Sequence, residues 1–173
     1  MPKTIIFTDS GDTLIDESTE VRNCEGIVQT AEWIPGAGEM IEMLWREGYR
    51  IAMVADGEAE SFRNIYTWLG KNHCFEQCIY SSDVGEEKPG QKMFEQAMHA
   101  MGLKEEDKSH IIMIGNNIRR DVLGANRFGI TSVLLDWTPR YPMEPSCDME
   151  KPDYTIHTPM EFAELVHRLE YEE

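Results

Sequence analysis

The chain has 173 residues, 41% of them hydrophobic, and a formal net charge of −16. That length supports one domain with a real core, and the charge excludes polyanionic partners, because nucleic acid and anionic membrane surfaces both demand Lys and Arg. No apolar run reaches the ~18 residues that cross a bilayer and no secretory pattern opens the chain, so the expected compartment is the cytoplasm, where four cysteines with no C-x-x-C pair stay reduced.

Thr4 to Thr8 is a short β-branched, apolar run that reads as a buried strand, and it ends on Asp9 with a small-residue turn behind it. Ile15 to Ile34 is polar and weakly patterned. Pro35-Gly36 opens a helix to Glu47 that carries Met40, Ile41 and Leu44 on one face and stops at Gly48. Arg50 to Val54 is a second strand. Phe62, Ile65, Tyr66 and Leu69 fall at helical spacing and end at Gly70. Gln77 to Ser81 is a third strand, and Phe94, Ala97, Met98 and Met101 mark a helix closed by Gly102.

His110 to Ile114 is the strongest strand signal in the chain. A helix from about Arg119 to Phe128 follows, then Gly129 and the strand Thr131 to Leu135. Asp136 to Pro152 is a loop with four prolines, Tyr154 to Ile156 an edge strand, and Phe162, Leu165, Val166 and Leu169 place a final helix. Alternating strands and helices predict a doubly wound α/β fold, a mainly parallel sheet with helices on both faces.

In such a sheet the segments behind the strands converge on one edge, where chemistry sits. They carry Asp9 to Asp12, Ala55 to Gly57, Ser82 to Lys88 and Gly115 to Asp121. Asp9 is then placed as a nucleophile or a metal ligand. Asp56 reads as the N-cap of a helix starting near Glu58, and Asp121 either as a helix-start carboxylate meeting the dipole or as a ligand. His73, Cys74 and Cys78 lack a fourth ligand at usable spacing.

Four segments together resemble the haloacid dehalogenase-like superfamily, mostly phosphatases that form an aspartyl-phosphate. The run Asp9-Ser10-Gly11-Asp12-Thr13-Leu14 is similar to the family's opening D-x-D-G-T-L, Val54-Ala55-Asp56-Gly57 to its second motif, Gly85-Glu86-Glu87-Lys88-Pro89 to its third, and Gly115-Asn116 with Asp121 to its fourth. The resemblance implies a three-layer α/β/α fold over residues 1–173, but the spacing of the motifs leaves no room for the family's usual large cap domain, only 16–34 as a vestigial cap or flap. It also implies Asp9 as nucleophile, Lys88 as the charge that offsets nucleophile and phosphate, and phosphate binding by Ala55, Asp56 and Lys88. Mg²⁺ would lie among Asp9, the Gly11 carbonyl, Asn116 and Asp121. Pro89, at the start of a helix, would aim Lys88 at the strand ends.

Three positions depart from the family. Gly11 stands where the acid/base Asp belongs, Ala55 lacks the phosphate-binding hydroxyl, and Asn116 drops the charge of a metal ligand. Without an acid, hydrolysis should favour good leaving groups unless Asp12, Asp56 or solvent substitutes. Gly11→Asp with Ala55→Ser should then raise turnover. An open mouth suits extended substrates or closure by a second copy in a homodimer, with Trp33, Trp137 and Tyr141 in segments that border it. The leading expectation is an Mg²⁺-dependent phosphatase acting on a small-molecule or macromolecular phosphorylated substrate. Two alternatives stand beside it: a catalytically degenerate module that binds a phosphorylated ligand or protein, and a receiver-like phosphoacceptor built on Asp9, Asp56 and Lys88-Pro89.

Overall fold

The computed structural model describes residues 3–171. In chain order these form β1 (Ile5–Thr8), the hairpin of β2 (Ile15–Arg22) and β3 (Val28–Trp33), α1 (Ala37–Arg46), β4 (Arg50–Ala55), α2 (Ala59–Leu69), β5 (Gln77–Tyr80) and α3 (Ser81–Val84). They continue with α4 (Lys92–Ala100), β6 (Ile111–Gly115), α5 (Leu123–Phe128), β7 (Thr131–Leu135), β8 (Tyr154–Ile156) and α6 (Pro159–Tyr171).

Six strands pair in the order β5-β4-β1-β6-β7-β8, every neighbour parallel. Numbered along the sheet's own chain order this is 3-2-1-4-5-6, whereas a receiver domain follows 2-1-3-4-5. The receiver alternative fails on topology. The order reverses between β1 and β6, so the crevice where such sheets bind ligands opens beside the carboxyl end of β1.

β1 is buried at every position because it is paired on both sides and covered on both faces. Alternation splits the core in two. Ile6, Ile51, Met53, Ile112 and Ile114 face α1, α2 and α6, packing with Ile41, Leu44, Ile65 and Phe162. Ile5, Phe7, Val54, Ile111 and Met113 face α4 and α5, packing with Met93, Phe94, Ala97 and Phe128. Three layers result.

Residues 15–34 fold as an antiparallel hairpin, strands that the weak pattern did not predict. Of β2 only Ile15 is fully buried, and the register shifts between Asp16 and Val21 break its alternation. The hairpin is tied to α2 by Val28 N–H donating to Ser61 Oγ (3.0 Å) and Asn64 Nδ2 donating to Val28 O (3.0 Å). Val28 and Ala31 join the first core.

Other boundaries move slightly. Ser81 opens α3 rather than closing β5, and the helix expected from Arg119 begins as one wide turn over Ile118–Val122 before α5. α4 starts at Lys92, so Pro89 lies in the turn ahead of it and not in the helix. The four cysteines are free, and among the described residues no helix is long and apolar enough to cross a membrane.

Candidate active site

β1 ends at the crevice and hands Asp9 to it, with Asp9 N–H still donating to Ile114 O of β6 (3.0 Å). Behind it the chain folds back tightly, the amides of Thr13, Leu14 and Ile15 all donating to Ser10 O. The Ser10 hydroxyl meets the buried Tyr66 hydroxyl at 2.7 Å, which locks the turn onto α2. Asp12 takes a left-handed φ of 50°, which Asp tolerates better than most residues.

Lys88 crosses from the loop after α3 into the interior, its side chain fully buried. Its ammonium donates to Asp121 Oδ1 (2.7 Å), Asp9 Oδ1 (3.1 Å) and Val54 O (2.6 Å), and lies 3.9 Å from Asp56 Oδ2. Burial alone would pull this ammonium down, but Asp121, Asp9 and Asp56 outweigh it and hold Lys88 well above the ordinary lysine value. The reverse effect falls on Asp121, which burial and the neighbouring Asp9 raise in spite of Lys88. Asp9 and Asp121 share one ammonium, and Asp121, with less solvent around it, is the one raised.

Asp121 approaches this closely because Gly115 has no side chain: a Cβ there would lie 2.2 Å from the Asp121 carboxyl. Its second oxygen accepts from Asn117 N–H (3.1 Å). The neighbouring Asn116 amide is buried with its nitrogen unpartnered. No hydrogen bond fixes that amide from the nitrogen end, so its oxygen can be turned to a cation.

An open cavity of about 320 Å³ lies over these groups. Asp9, Gly11, Asp56, Asn116 and Asp121 line it, and so do Glu17 and Glu20 of β2, Arg120 and Tyr141. The lining offers several hard oxygen donors and no sulfur or imidazole, the donor chemistry of Mg²⁺. Tyr141 thus reaches the mouth. Trp33 and Trp137 instead pack against the first core.

Two predicted residues are placed elsewhere. Ala55 is fully buried within the first core and does not border the cavity. Asp12 is also fully buried: its Oδ2 is bound by Arg140 Nε and its Oδ1 accepts from Glu17 N–H (3.1 Å). It is a structural ion pair, with no free oxygen for an incoming substrate. Asp56 does not cap α2, whose first amide, Ala59 N–H, donates to Ser82 Oγ (3.0 Å). Asp56 Oδ1 accepts instead from Lys88 N–H (2.9 Å), and its Oδ2 lies 3.7 Å from Arg120. Burial raises its carboxyl against the pull of Lys88.

Glu17 and Arg140 were not legible as site residues. Arg140, in the proline-rich loop, is 3.6 Å from Glu17 Oε2 as well as paired to Asp12. Burial, with Asp12 and Glu20 nearby, pushes the Glu17 carboxyl up to about 7 against the opposing pull of Arg140.

Residues 7–135 match the family model of the haloacid dehalogenase-like hydrolases. Glyceraldehyde 3-phosphate phosphatase of Methanopyrus kandleri is 31% identical over 136 residues, 79% of this chain and 55% of that protein. The chain thus spans about half the length of the curated relatives it matches. Among solved structures, a protein from Listeria monocytogenes serotype 4b superposes with a TM-score of 0.77 at 20% identity, over 96% of this chain and 98% of that one. The hydrolase YfnB from Bacillus subtilis, bound to magnesium, gives 0.67 at 21% identity over 78% and 56%.

Proposed function

The chain belongs to the haloacid dehalogenase-like hydrolases, and we propose that it is a phosphatase that works through an aspartyl-phosphate on Asp9 with Mg²⁺. One observation carries the reading: the Asp9 carboxylate lines an open cavity and is held 3.1 Å from a fully buried ammonium. Lys88 fixes one oxygen of Asp9, and the other attacks phosphorus as the bond to the leaving oxygen breaks. Water then attacks the phosphorus of phospho-Asp9, the bond to the Asp9 oxygen breaks, and phosphate leaves. Lys88, held above its ordinary value, keeps its proton throughout. Its role is to offset charge, a larger effect in a buried site than in water.

Asp9, the Gly11 carbonyl and Asn116 would hold Mg²⁺, with Asp121 behind them. Bound there, the ion supplies positive charge against the phosphoryl oxygens. The backbone N–H of Asp56 is the remaining donor of the second motif, since Ala55 brings no hydroxyl. Arg120, at the cavity rim, meets the far side of an anionic substrate. The substrate is a small phosphorylated molecule and the setting the cytoplasm; the phosphatase relatives support the first, and the net charge of −16 keeps polyanions away.

The test is turnover of 4-nitrophenyl phosphate with and without Mg²⁺, together with borohydride trapping of phospho-Asp9 read by peptide mass spectrometry. Mg²⁺-dependent turnover and a trapped Asp9, both lost in Asp9→Asn, are expected. No turnover and no trapped Asp9 would leave the degenerate phosphate-binding module as the better reading.

A further inference from the structure

We propose that Glu17, from the hairpin, is the group that gives a proton to the leaving oxygen and later takes one from the attacking water, in place of the side chain that Gly11 lacks. The proposal rests on the phosphatase reading above and adds to it the source of the proton.

The argument is one of occupied volume. A Cβ built on Gly11 would lie 1.9 Å from Glu17 Oε1, 2.7 Å from its Cδ and 3.0 Å from its Cγ, and these are its three nearest neighbours. A side chain at position 11 and the Glu17 carboxyl therefore claim the same space. The backbone is not the obstacle, since Gly11 is not among the residues with positive φ. The obstacle to a side chain there is the flexible end of Glu17, whose carboxyl lies against position 11.

Glu17 is held in that place from two sides. Its N–H donates to Asp12 Oδ1 (3.1 Å), which fixes the start of β2 on the turn after Asp9. Arg140 lies 3.6 Å from Oε2, so that oxygen faces the proline-rich loop while Oε1 lies over Gly11. The side chain is 32% exposed and lines the same cavity as Asp9, which leaves it accessible to a substrate. Of the other carboxyls suggested for the role, Asp12 is sealed in its ion pair, and Asp56 is tied to the Lys88 amide.

The proton balance closes. As Asp9 attacks, the phosphorus–oxygen bond to the leaving group breaks and its electron pair takes the Glu17 proton, releasing an alcohol. In the second half the Glu17 carboxylate takes a proton from water as the water oxygen bonds to phosphorus and the bond to Asp9 breaks. The sum is ester plus water giving alcohol and phosphate, with Glu17 restored. The expectation that only good leaving groups are cleaved is thereby replaced.

The test compares kcat/KM, which reports formation of phospho-Asp9 and not the water step common to both esters, on 4-nitrophenyl phosphate, whose leaving group needs no proton, and on glycerol phosphate, whose leaving group does. Wild type, Glu17→Gln, and Gly11→Asp combined with Glu17→Ala are assayed, each first checked for native circular dichroism. Glu17→Gln should lose about 10²–10⁴-fold on the alkyl ester, the usual range for a general acid, and far less on the aryl ester. The double variant moves the carboxyl back to position 11 and should recover part of the alkyl activity. Equal losses on both esters, or none, would overturn the role and leave Glu17 as a partner for Arg140. A wild type inactive on both esters with no trapped phospho-Asp9 would instead sink the phosphatase reading and this proposal with it.

Discussion

Lys88→Met is the most discriminating perturbation, because its cost can be worked from contacts and read without a substrate. The substitution removes two charge-assisted hydrogen bonds, to Asp121 at 2.7 Å and Asp9 at 3.1 Å, and strips Val54 O of its 2.6 Å donor. Each charged bond contributes ~1.5–3 kcal/mol and an orphaned carbonyl costs ~1–3 kcal/mol. Against this stands the relief of no longer burying an ammonium. Measured cases in which one member of a buried pair is removed cluster near ~3–5 kcal/mol, and we expect a loss of about 4 kcal/mol in that range. Most of it is the repulsion and desolvation of the carboxylates left behind, so adding Asp121→Asn should return about half.

Urea unfolding followed by circular dichroism, in EDTA, measures both variants, and an unchanged m-value confirms that stability alone has moved. The pH dependence supplies a second check. Asp121 is already raised with Lys88 in place, and losing that cation raises it further. A carboxyl whose folded pKa lies above its unfolded value binds more protons in the folded state, so its penalty is absent at low pH and grows as pH rises. The gap between variant and wild type should narrow from pH 8 to pH 5. A loss below about 1 kcal/mol, or a gap that widens on acidification, would refute the reasoning.

Three further outcomes follow. Asn116→Asp returns a charge to the proposed ion site and should tighten Mg²⁺ about tenfold by calorimetry; unchanged affinity would remove Asn116 from the ligand set. Ser61→Ala deletes the buried acceptor of Val28 N–H and should cost about 1–2 kcal/mol, with faster amide exchange confined to the hairpin; protection equal to wild type at Val28 would show that the hairpin is held otherwise. Glu17, at about 7 against 4.5 unfolded, binds its proton more tightly in the folded chain, so it lowers stability as pH rises between those values. Glu17→Gln should therefore gain about 1–2 kcal/mol over wild type at pH 8 relative to pH 5 in EDTA, the figure already reduced for solvent contact.

The sheet was legible because its strands are self-declaring: Ile5–Thr8, Arg50–Ala55 and Ile111–Gly115 are apolar runs bounded by turn residues, buried on both faces. Lys88 and Asp121 were legible through the family resemblance, Lys88 in the segment behind β5 and Asp121 in the segment behind β6. The hairpin was not, since it buries one face only and its register shifts spoil the alternation that marks a half-buried strand. With the hairpin unread, Glu17 had no address. Its nearness to Gly11 depends on how β2 leaves the turn, not on any spacing along the chain. Arg140 was hidden for a different reason: it meets Asp12 across 128 residues, from a loop whose prolines predict irregularity and nothing about where it lands. Asp56 was misread as a cap because its true partner, the Lys88 amide, lies 32 residues away.

The departures at Gly11 and Asn116 each delete a carboxylate that the family resemblance calls for, yet the cavity is not short of them. Glu17 stands in it at a position the resemblance does not name, and Asp56 brings its carboxyl as well. Counted as charges, these groups would repel a phosphate as strongly as they repel Asp9. Burial works against both charges, however. Glu17 is pushed up to about 7 by burial and its acidic neighbours, and Asp56 is raised by burial. A carboxyl that stays protonated near neutrality adds a donor to the cavity in place of a negative charge. Lys88 and Arg120 remain fully charged beside it, one beneath Asp9 and one at the rim. An anion entering an apparently acidic cavity would therefore meet the Arg120 guanidinium at the rim and, at Glu17, a carboxyl that is protonated part of the time near neutrality. On the proposed reading, protonation of Glu17, more than the number of carboxyl groups, would set whether phosphate is admitted.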